Sequence, residues 1–322
     1  MRTSLAALSE QLDEGRVELD RGGPPPELEA FAARLAEAGS HASEALRRFV
    51  EPAGDVTGVL QGMHFHHRAE AALYPLRRAL PPVSRFFLED AVAGRVVELD
   101  PDPPAEGSGL HDASNAPGQR GGFSLYVPES FSPEEPLPLI VALHGGSGHG
   151  ADFLWSWLRE ARSRRCLLLA PSSQGSTWSL SGTPDSDLDT PQLLRMIEFV
   201  AESWPVDRDR MLLTGLSDGA TFSLLSGLGE NSPFSALAPA SGVLHPINFR
   251  NGNIERARGR RIYLIHGTLD WMFPIALARA AAGELEKAGA DIAFHEVEDL
   301  SHTYAREHNA LILDWMGVEI GR

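Results

Sequence analysis

The sequence predicts an α/β protein: a three-layer sandwich with a mostly parallel central sheet, preceded by a small helical N-terminal domain. From about residue 118 onward, short apolar runs alternate with amphipathic stretches, and this order is typical of α/β sandwiches. Runs such as LIVALH and IYLIH lack polar alternation, as expected for strands buried on both faces of a parallel sheet. The first hundred residues are instead rich in Ala, Leu, Glu and Arg, with apolar residues at helical spacing.

The N-terminal domain is predicted over residues 1–98. Its apolar residues recur at helical spacing in two groups, which are Leu28, Phe31 and Leu35, and then Ala42, Leu46 and Phe49. We predict a pair of helices that separates at Gly39 and Ser40, because Gly and Ser favour a break. A third helix is predicted from about Gly62 to Leu80, where two consecutive prolines stop it.

A stretch dense in Pro, Gly, Asp and Ser predicts a linker over residues 99–117, followed by the main domain over residues 118–322. Seven apolar runs of the main domain predict strands: FSLYVP, LIVALHG, CLLLAP, RMLLTG, SALAPAS, RIYLIHG and DIAFHEVE. Amphipathic stretches lie between most of these runs and predict helices.

Charge and cysteine content limit the partners and the compartment. The net charge of −16 and the pI near 5.2 argue against nucleic acid or an anionic membrane as a partner, because polyanions select basic patches. The single cysteine, Cys166, excludes an internal disulfide and a cysteine-rich zinc site, and is expected in the core. The N-terminus is charged too early for a signal peptide, and no apolar run reaches membrane-spanning length, so we expect a cytoplasmic protein.

The pentapeptide GLSDG places Ser217 between two glycines, where the strand RMLLTG ends and the helix SDGATFSLLSGL begins. A serine at such a turn takes up a strained backbone, and glycines two residues before and after it remove Cβ atoms that would collide with neighbours. The turn presents the hydroxyl at the carboxyl edge of the sheet. Ser217 is therefore a candidate nucleophile, with a serine in an inactive turn as the alternative.

A serine nucleophile needs a base, and the base needs an acid to orient it. Asp270 follows the strand RIYLIHG and His302 follows the strand DIAFHEV, so both lie in loops at the carboxyl edge. Asp299, three residues before His302, is the alternative acid. The histidines at 295 and 308 fall in a strand and a helix and are poorer bases, and His266 is interpreted as a packed, hydrogen-bonded histidine.

A glycine-rich loop, LHGGSGHG, follows the second strand of the main domain. Its backbone N–H groups are not blocked by side chains, so the loop is a candidate oxyanion hole. A phosphate-binding loop is the alternative, but the segment has no lysine and no G-x-x-x-x-G-K-[ST] pattern.

Residues from about 118 to 322 resemble compact α/β-hydrolases of the phospholipase/carboxylesterase and polyhydroxybutyrate-depolymerase-like esterase type. The matching segments are LYVPESF, PLPLIVALHGGSGHG, VDRDRMLLTGLSDGA, IHGTLDWMFP and LSHTY. The resemblance implies Ser217 as nucleophile, His302 as general base and acid, and Asp270 as the orienting acid. It also implies backbone N–H groups of Gly146 and Asp218 as oxyanion donors. We expect no cofactor and no metal.

The loops suggest a small, open site. Residues 241–261 leave no room for a large lid, which favours soluble esters with modest acyl groups as the small-molecule substrate. Trp178 and Trp271 are candidate pocket residues because each lies in a loop near the predicted site. A thioesterase or a peptidase uses the same machinery, and a non-catalytic binding module that retains the scaffold is a further alternative.

The N-terminal domain carries a histidine-rich stretch, GMHFHHRAE. His67 and Glu70 are spaced to share a helix face, so a metal site is conceivable, but His64, His66 and His67 match no metal motif with known mechanics. We expect these histidines to be solvated or packed. The helices could form a homo-oligomer, cap the active site or bind a protein partner, and the sequence does not choose among these roles.

Overall fold

The structure, a computed structural model, describes residues 2–50, 56–181 and 186–320. The chain divides into two compact units, residues 1–93 and residues 94–322. The division lies a few residues before the predicted end of the N-terminal domain at residue 98.

The first unit is helical. Its helices are α1 (Arg2–Gly22), α2 (Glu29–Val50), α3 (Val56–Leu73) and α4 (Pro81–Phe86), with short 3₁₀ turns between them. Helix α2 packs against both α1 and α3.

Two predictions about these helices are wrong. The predicted break at Gly39 and Ser40 is absent, because α2 runs through both residues. Gly39 serves close packing instead: a Cβ there would stand 3.1 Å from Cγ of Arg16 in α1. The third helix ends at Leu73 rather than Leu80, since Pro75 lacks the backbone N–H that another helical turn needs, and a 3₁₀ turn follows.

The second unit contains one eight-stranded sheet in the order β1-β2-β4-β3-β5-β6-β7-β8. The strands are β1 (Gly109–Ala113), β2 (Phe123–Val127), β3 (Leu137–Leu143), β4 (Leu167–Pro171), β5 (Val206–Leu216), β6 (Ala236–Ala240), β7 (Arg261–Gly267) and β8 (Asp291–Val297). Strands β3 to β8 run parallel, and β1 and β2 run antiparallel at one edge. The mostly parallel sheet and all seven predicted strands are confirmed.

The segment predicted as a linker, residues 99–117, differs in the structure. It contains the edge strand β1, which pairs with β2 from Gly109 opposite Val127 to Ala113 opposite Phe123. Only alternate residues of β1 are even partly buried, so the strand has no apolar run to reveal it in the sequence.

Helices lie on both faces of the sheet. They are α5 (Val96–Leu99), α6 (Gly150–Phe153), α7 (Leu158–Ser163), α8 (Asp189–Ser203), α9 (Asp218–Gly227), α10 (Ile247–Arg250), α11 (Ile275–Lys287) and α12 (His308–Met316). Every residue of β3 and β4 is buried between these layers, as a parallel sheet requires. The loops after β3, β5, β7 and β8 leave the sheet at the same carboxyl edge, where the candidate site lies.

Candidate active site

Ser217 occupies the single position between strand β5 and helix α9. Its backbone has φ 57° and ψ −116°, a conformation that residues with a Cβ rarely adopt. A Cβ at Gly215 would stand 2.6 Å from the carbonyl carbon of Gly219, and one at Gly219 would stand 2.5 Å from the carbonyl oxygen of His144. The two glycines of GLSDG are therefore sterically required, and the turn holds the Ser217 hydroxyl at the sheet edge.

The structure brings Ser217, Asp270 and His302 together from three different loops. His302 Nε2 lies 3.0 Å from Ser217 Oγ, and His302 Nδ1 lies 2.8 Å from Asp270 Oδ2. Because a carboxylate only accepts, Nδ1 carries the ring proton and Nε2 is free to accept from the Ser217 hydroxyl. This arrangement of hydrogen bonds is the one a serine nucleophile requires.

Asp270 is held by its own loop. Its Oδ1 accepts hydrogen bonds from the backbone N–H groups of Met272, at 2.9 Å, and Phe273, at 2.8 Å. The Asp270 side chain is fully buried, and these bonds aim Oδ2 at His302. Asp299, the alternative acid, is exposed, and no hydrogen bond links its carboxylate to His302 in the described chain.

A second imidazole, that of His266, contacts the carboxylate of Asp270. The sequence interpretation missed this contact. His266 Nε2 lies 2.6 Å from the carbonyl oxygen of Phe273, so Nε2 carries the proton, and the same nitrogen lies 3.3 Å from Asp270 Oδ2. The ring is fully buried, and its Nδ1 has no hydrogen-bond partner among the described residues. His266 thus ties the loop after β7 to the strand that bears it.

The loop after β3 lies against the Ser217 turn. A Cβ at Gly145 would stand 3.5 Å from Cβ of Ser217, and the N–H of Ser147 donates to the carbonyl of Ser176 at 2.8 Å. The N–H groups of Gly146 and Asp218 donate to no protein acceptor in the described part of the chain. Two backbone donors beside Ser217 are therefore available to a developing oxyanion.

The Asp218 side chain joins this loop to the next one. Its Oδ2 accepts from the Thr177 hydroxyl at 2.5 Å, and a Cβ at Gly146 would stand 2.7 Å from the same oxygen. The lack of a side chain at Gly146 therefore makes room for the Asp218 carboxylate.

His144 holds the loop after β3 in place. Its Nε2 accepts from the N–H of Ser173 at 3.1 Å, which leaves the proton on Nδ1 to donate to the Gly145 carbonyl at 2.7 Å. Burial lowers the pKa of His144 from 6.5 to about 4, because the charged ring would lose its hydration. His144 is therefore neutral at pH 7 and acts as a structural bridge.

The two predicted pocket tryptophans occupy different environments. Trp178 is only 3% exposed; its Nε1–H donates to the His144 carbonyl at 2.7 Å, and its ring stacks on Phe222. It supports the loop after β3. Contrary to expectation, its ring is too buried to line an open substrate pocket. Trp271 is 56% exposed, with its ring centroid 6.1 Å from that of His302.

The N-terminal histidines form no metal centre in the part of the chain that the structure describes, where no group of three or more His, Cys, Asp or Glu could hold an ion. His66 Nε2 lies 3.7 Å from Glu70 Oε1. Cys166 is buried, as expected. Among the described helices, none is both long and apolar enough to cross a membrane.

Comparison with known proteins finds similarity to esterases. Residues 182–316 match the model of the phospholipase/carboxylesterase family. The bifunctional acetylxylan esterase/xylanase XynS20E of Neocallimastix patriciarum is 25% identical over 165 residues, which are 50% of this chain. The matched part spans only 23% of that relative.

Solved structures show the same fold. A thermostable esterase aligns with a TM-score of 0.50 and 19% identity, over 65% of this chain and 62% of its own length. The fluorophosphonate-binding serine hydrolase F of Staphylococcus aureus aligns with a TM-score of 0.53 and 15% identity, over 65% of this chain and 97% of its own. Both alignments support an α/β-hydrolase fold.

Proposed function

We propose that this chain, which has the α/β-hydrolase fold of its structural neighbours and matches the phospholipase/carboxylesterase model over residues 182–316, cleaves carboxylic esters through an acyl-enzyme intermediate. The observation that carries the proposal is the continuous hydrogen-bonded path from Asp270 through His302 to Ser217. A path of this kind turns a weakly nucleophilic hydroxyl into a reactive one.

In the acylation step, His302 Nε2 takes the proton of the Ser217 hydroxyl while Oγ bonds to the ester carbonyl carbon. The carbonyl oxygen becomes an oxyanion, which the N–H groups of Gly146 and Asp218 stabilise. One donor of this kind typically contributes about 3 kcal/mol to the transition state. His302 then gives its proton to the alcohol oxygen as the carbon–oxygen bond breaks.

In the deacylation step, water takes the place of the departed alcohol. His302 accepts a proton from that water, which attacks the acyl carbon, and the proton returns to Ser217 Oγ as the acid leaves. Asp270 keeps Nδ1 protonated throughout, so that Nε2 faces the reaction, and its negative charge stabilises the transient imidazolium.

The substrates we propose are soluble esters with modest acyl groups. The segment between β6 and β7 holds only the four-residue helix α10 and a short 3₁₀ turn, which supports a site without a large lid.

We also propose a cytoplasmic location, supported by the single buried cysteine. A further proposal is self-association through the N-terminal helices. Neither proposal affects the chemistry at Ser217.

The test is labelling with a fluorophosphonate probe, together with hydrolysis of p-nitrophenyl acetate, for the wild type and Ser217→Ala. We expect label and turnover in the wild type and neither in Ser217→Ala. Ser241→Ala is the control, since Ser241 is a buried serine with positive φ whose side chain forms no hydrogen bond with His302 in the described chain. A folded wild type that neither takes the label nor hydrolyses esters would favour a non-catalytic binding module.

A further inference from the structure

We propose that Trp271 binds the alcohol part of the ester, so that this enzyme prefers esters of ring-bearing apolar alcohols. The inference rests on the proposed ester hydrolysis and adds the part of the substrate that determines specificity. It depends on the exposure of Trp271, its position against His302 and the direction of proton transfer.

Trp271 is unusual in its exposure. At 56% it is the one tryptophan of six in the exposed class, and the other five are buried or half-buried. Two further large apolar side chains of the same loop, those of Leu269 and Met272, are also exposed. Water-exposed apolar side chains grouped on one loop next to a reactive site are typical of ligand-binding surfaces.

The indole lies beside the reacting histidine. The rings of Trp271 and His302 meet edge to face at an interplanar angle of 71°, and the ring of Phe273 meets His302 similarly, with a centroid distance of 5.5 Å. The backbone on the C-terminal side of Trp271 is fixed, because Met272 and Phe273 donate to Asp270 Oδ1. Because a tryptophan side chain has only two rotatable bonds, an indole on a fixed backbone can bind a ligand with little loss of conformational entropy.

Proton transfer identifies the part of the substrate that reaches Trp271. The leaving alcohol oxygen must come within hydrogen-bonding distance of His302 Nε2, about 3 Å, to receive its proton. The carbonyl oxygen instead points at the N–H groups of Gly146 and Asp218, which lie on other loops. The carbon skeleton attached to the leaving oxygen therefore starts next to His302, whose ring both Trp271 and Phe273 contact edge to face.

The chemistry of this border favours an uncharged ring. An indole face offers a flat apolar surface that stacks on aromatic or aliphatic rings. The carboxylate of the loop, Asp270, is fully buried and partnered, so it offers no charge to a bound alcohol. A benzyl group is a suitable probe, because it adds a ring to the alcohol without turning it into an activated leaving group.

The experiment compares two substrate series. In the first, the acyl group is acetyl and the alcohol is ethyl, cyclohexylmethyl or benzyl; in the second, the alcohol is ethyl and the acyl chain lengthens from acetyl to hexanoyl. For the wild type we expect kcat/KM to be higher for benzyl acetate than for ethyl acetate. In Trp271→Ala we expect the benzyl-to-ethyl ratio to fall by about tenfold, the scale of one lost ring contact.

Two variants control this result. Trp271→Phe keeps an aromatic face and should retain most of the benzyl preference. Phe199→Ala removes an exposed aromatic side chain from helix α8, away from the site, and should leave both substrate series as in the wild type.

The outcomes separate this inference from the proposed function. If Trp271→Ala lowers kcat/KM equally for all alcohols, or changes the acyl series instead, the assignment of Trp271 to the alcohol part is wrong while ester hydrolysis stands. If the wild type hydrolyses no ester of either series, the proposed function fails, and this inference fails with it.

Discussion

Two loops at the carboxyl edge of the sheet each carry a histidine, and they use the imidazole in opposite ways. The loop after β8 presents His302 with its side chain 10% exposed, bonded to a carboxylate on one nitrogen and to a hydroxyl on the other. The loop after β3 begins with His144, which is buried and bonded to backbone groups on both nitrogens. A charged partner and an accessible nitrogen suit His302 to proton transfer, whereas backbone partners and burial suit His144 to holding a loop.

The largest expected effect is the loss of the reacting imidazole. His302→Ala should lower kcat for p-nitrophenyl acetate by roughly 10⁴-fold or more, because among the described residues only His302 forms a hydrogen bond with Ser217 Oγ and can take its proton. Steady-state kinetics measure the effect. His295→Ala removes a histidine from strand β8 that stacks on Tyr263, and its kcat should remain within about twofold of the wild type. Comparable losses in both variants would contradict the role of His302.

Asp270→Asn should lower kcat by on the order of 10³- to 10⁴-fold. The amide can donate to His302 Nδ1, which would then place the ring proton on Nε2 and block acceptance from Ser217. The same kinetic assay tests this, with Asp299→Asn as the matched control because it changes the other nearby acid. If Asp299→Asn is the more impaired variant, Asp299 rather than Asp270 orients the histidine.

We expect the buried His144 to make the free energy of unfolding depend on pH. The folded state holds the pKa of His144 near 4, whereas the unfolded chain takes up the proton near 6.5. The stabilising effect of the neutral, buried ring is therefore complete above pH 6.5 and is lost as the pH falls from 6.5 towards 4. The loss should reach about 3 kcal/mol, at 1.36 kcal/mol per pKa unit.

Urea unfolding between pH 7.5 and pH 4.5 measures this dependence. His144→Gln can still accept from the Ser173 N–H but does not titrate, so its free energy of unfolding should fall less steeply with pH. Parallel curves for the two proteins would show that His144 does not contribute to the pH dependence.

The smallest effect is expected at His266. This histidine is buried like His144, and like His302 it contacts the carboxylate of Asp270. His266→Met removes the donor to Phe273 and Asp270 at similar volume, and we expect kcat to fall about fivefold with little change in KM, since one net hydrogen bond contributes about 1 kcal/mol. His266→Gln can place an amide donor near the position of Nε2 and should recover most of the loss. A loss in both variants, or a change in KM alone, would indicate a packing role only.

The sequence predicts those parts of the fold and candidate site that lie in continuous segments. The seven strands are apolar runs, and Ser217, Asp270 and His302 each follow a strand whose end is visible in the sequence. Because parallel strands bring their carboxyl ends to one edge, the sequence predicts that the three side chains lie at that edge. The hydrogen-bond distances in the structure agree with that expectation.

Features that depend on a distant partner escape sequence interpretation. Strand β1 is stabilised by pairing with β2 rather than by its own composition, and the packing of Gly39 depends on Arg16 in another helix. The burial of Trp178 depends on Phe222 beneath it, and the contact of His266 with Asp270 depends on how the loop after β7 folds back. A His-Gly pair occurs both after β3, as His144-Gly145, and at the end of β7, as His266-Gly267.

The central claim, that Ser217 forms an acyl-enzyme, is tested most directly by trapping the intermediate. The wild type would be mixed with p-nitrophenyl acetate and quenched in acid within milliseconds to seconds, and the digested protein would be analysed by mass spectrometry. We predict one added acetyl group on the peptide that contains Ser217, and its loss at longer times as deacylation proceeds. Turnover without acetylation of this peptide, or equal acetylation in Ser217→Ala, would contradict the mechanism.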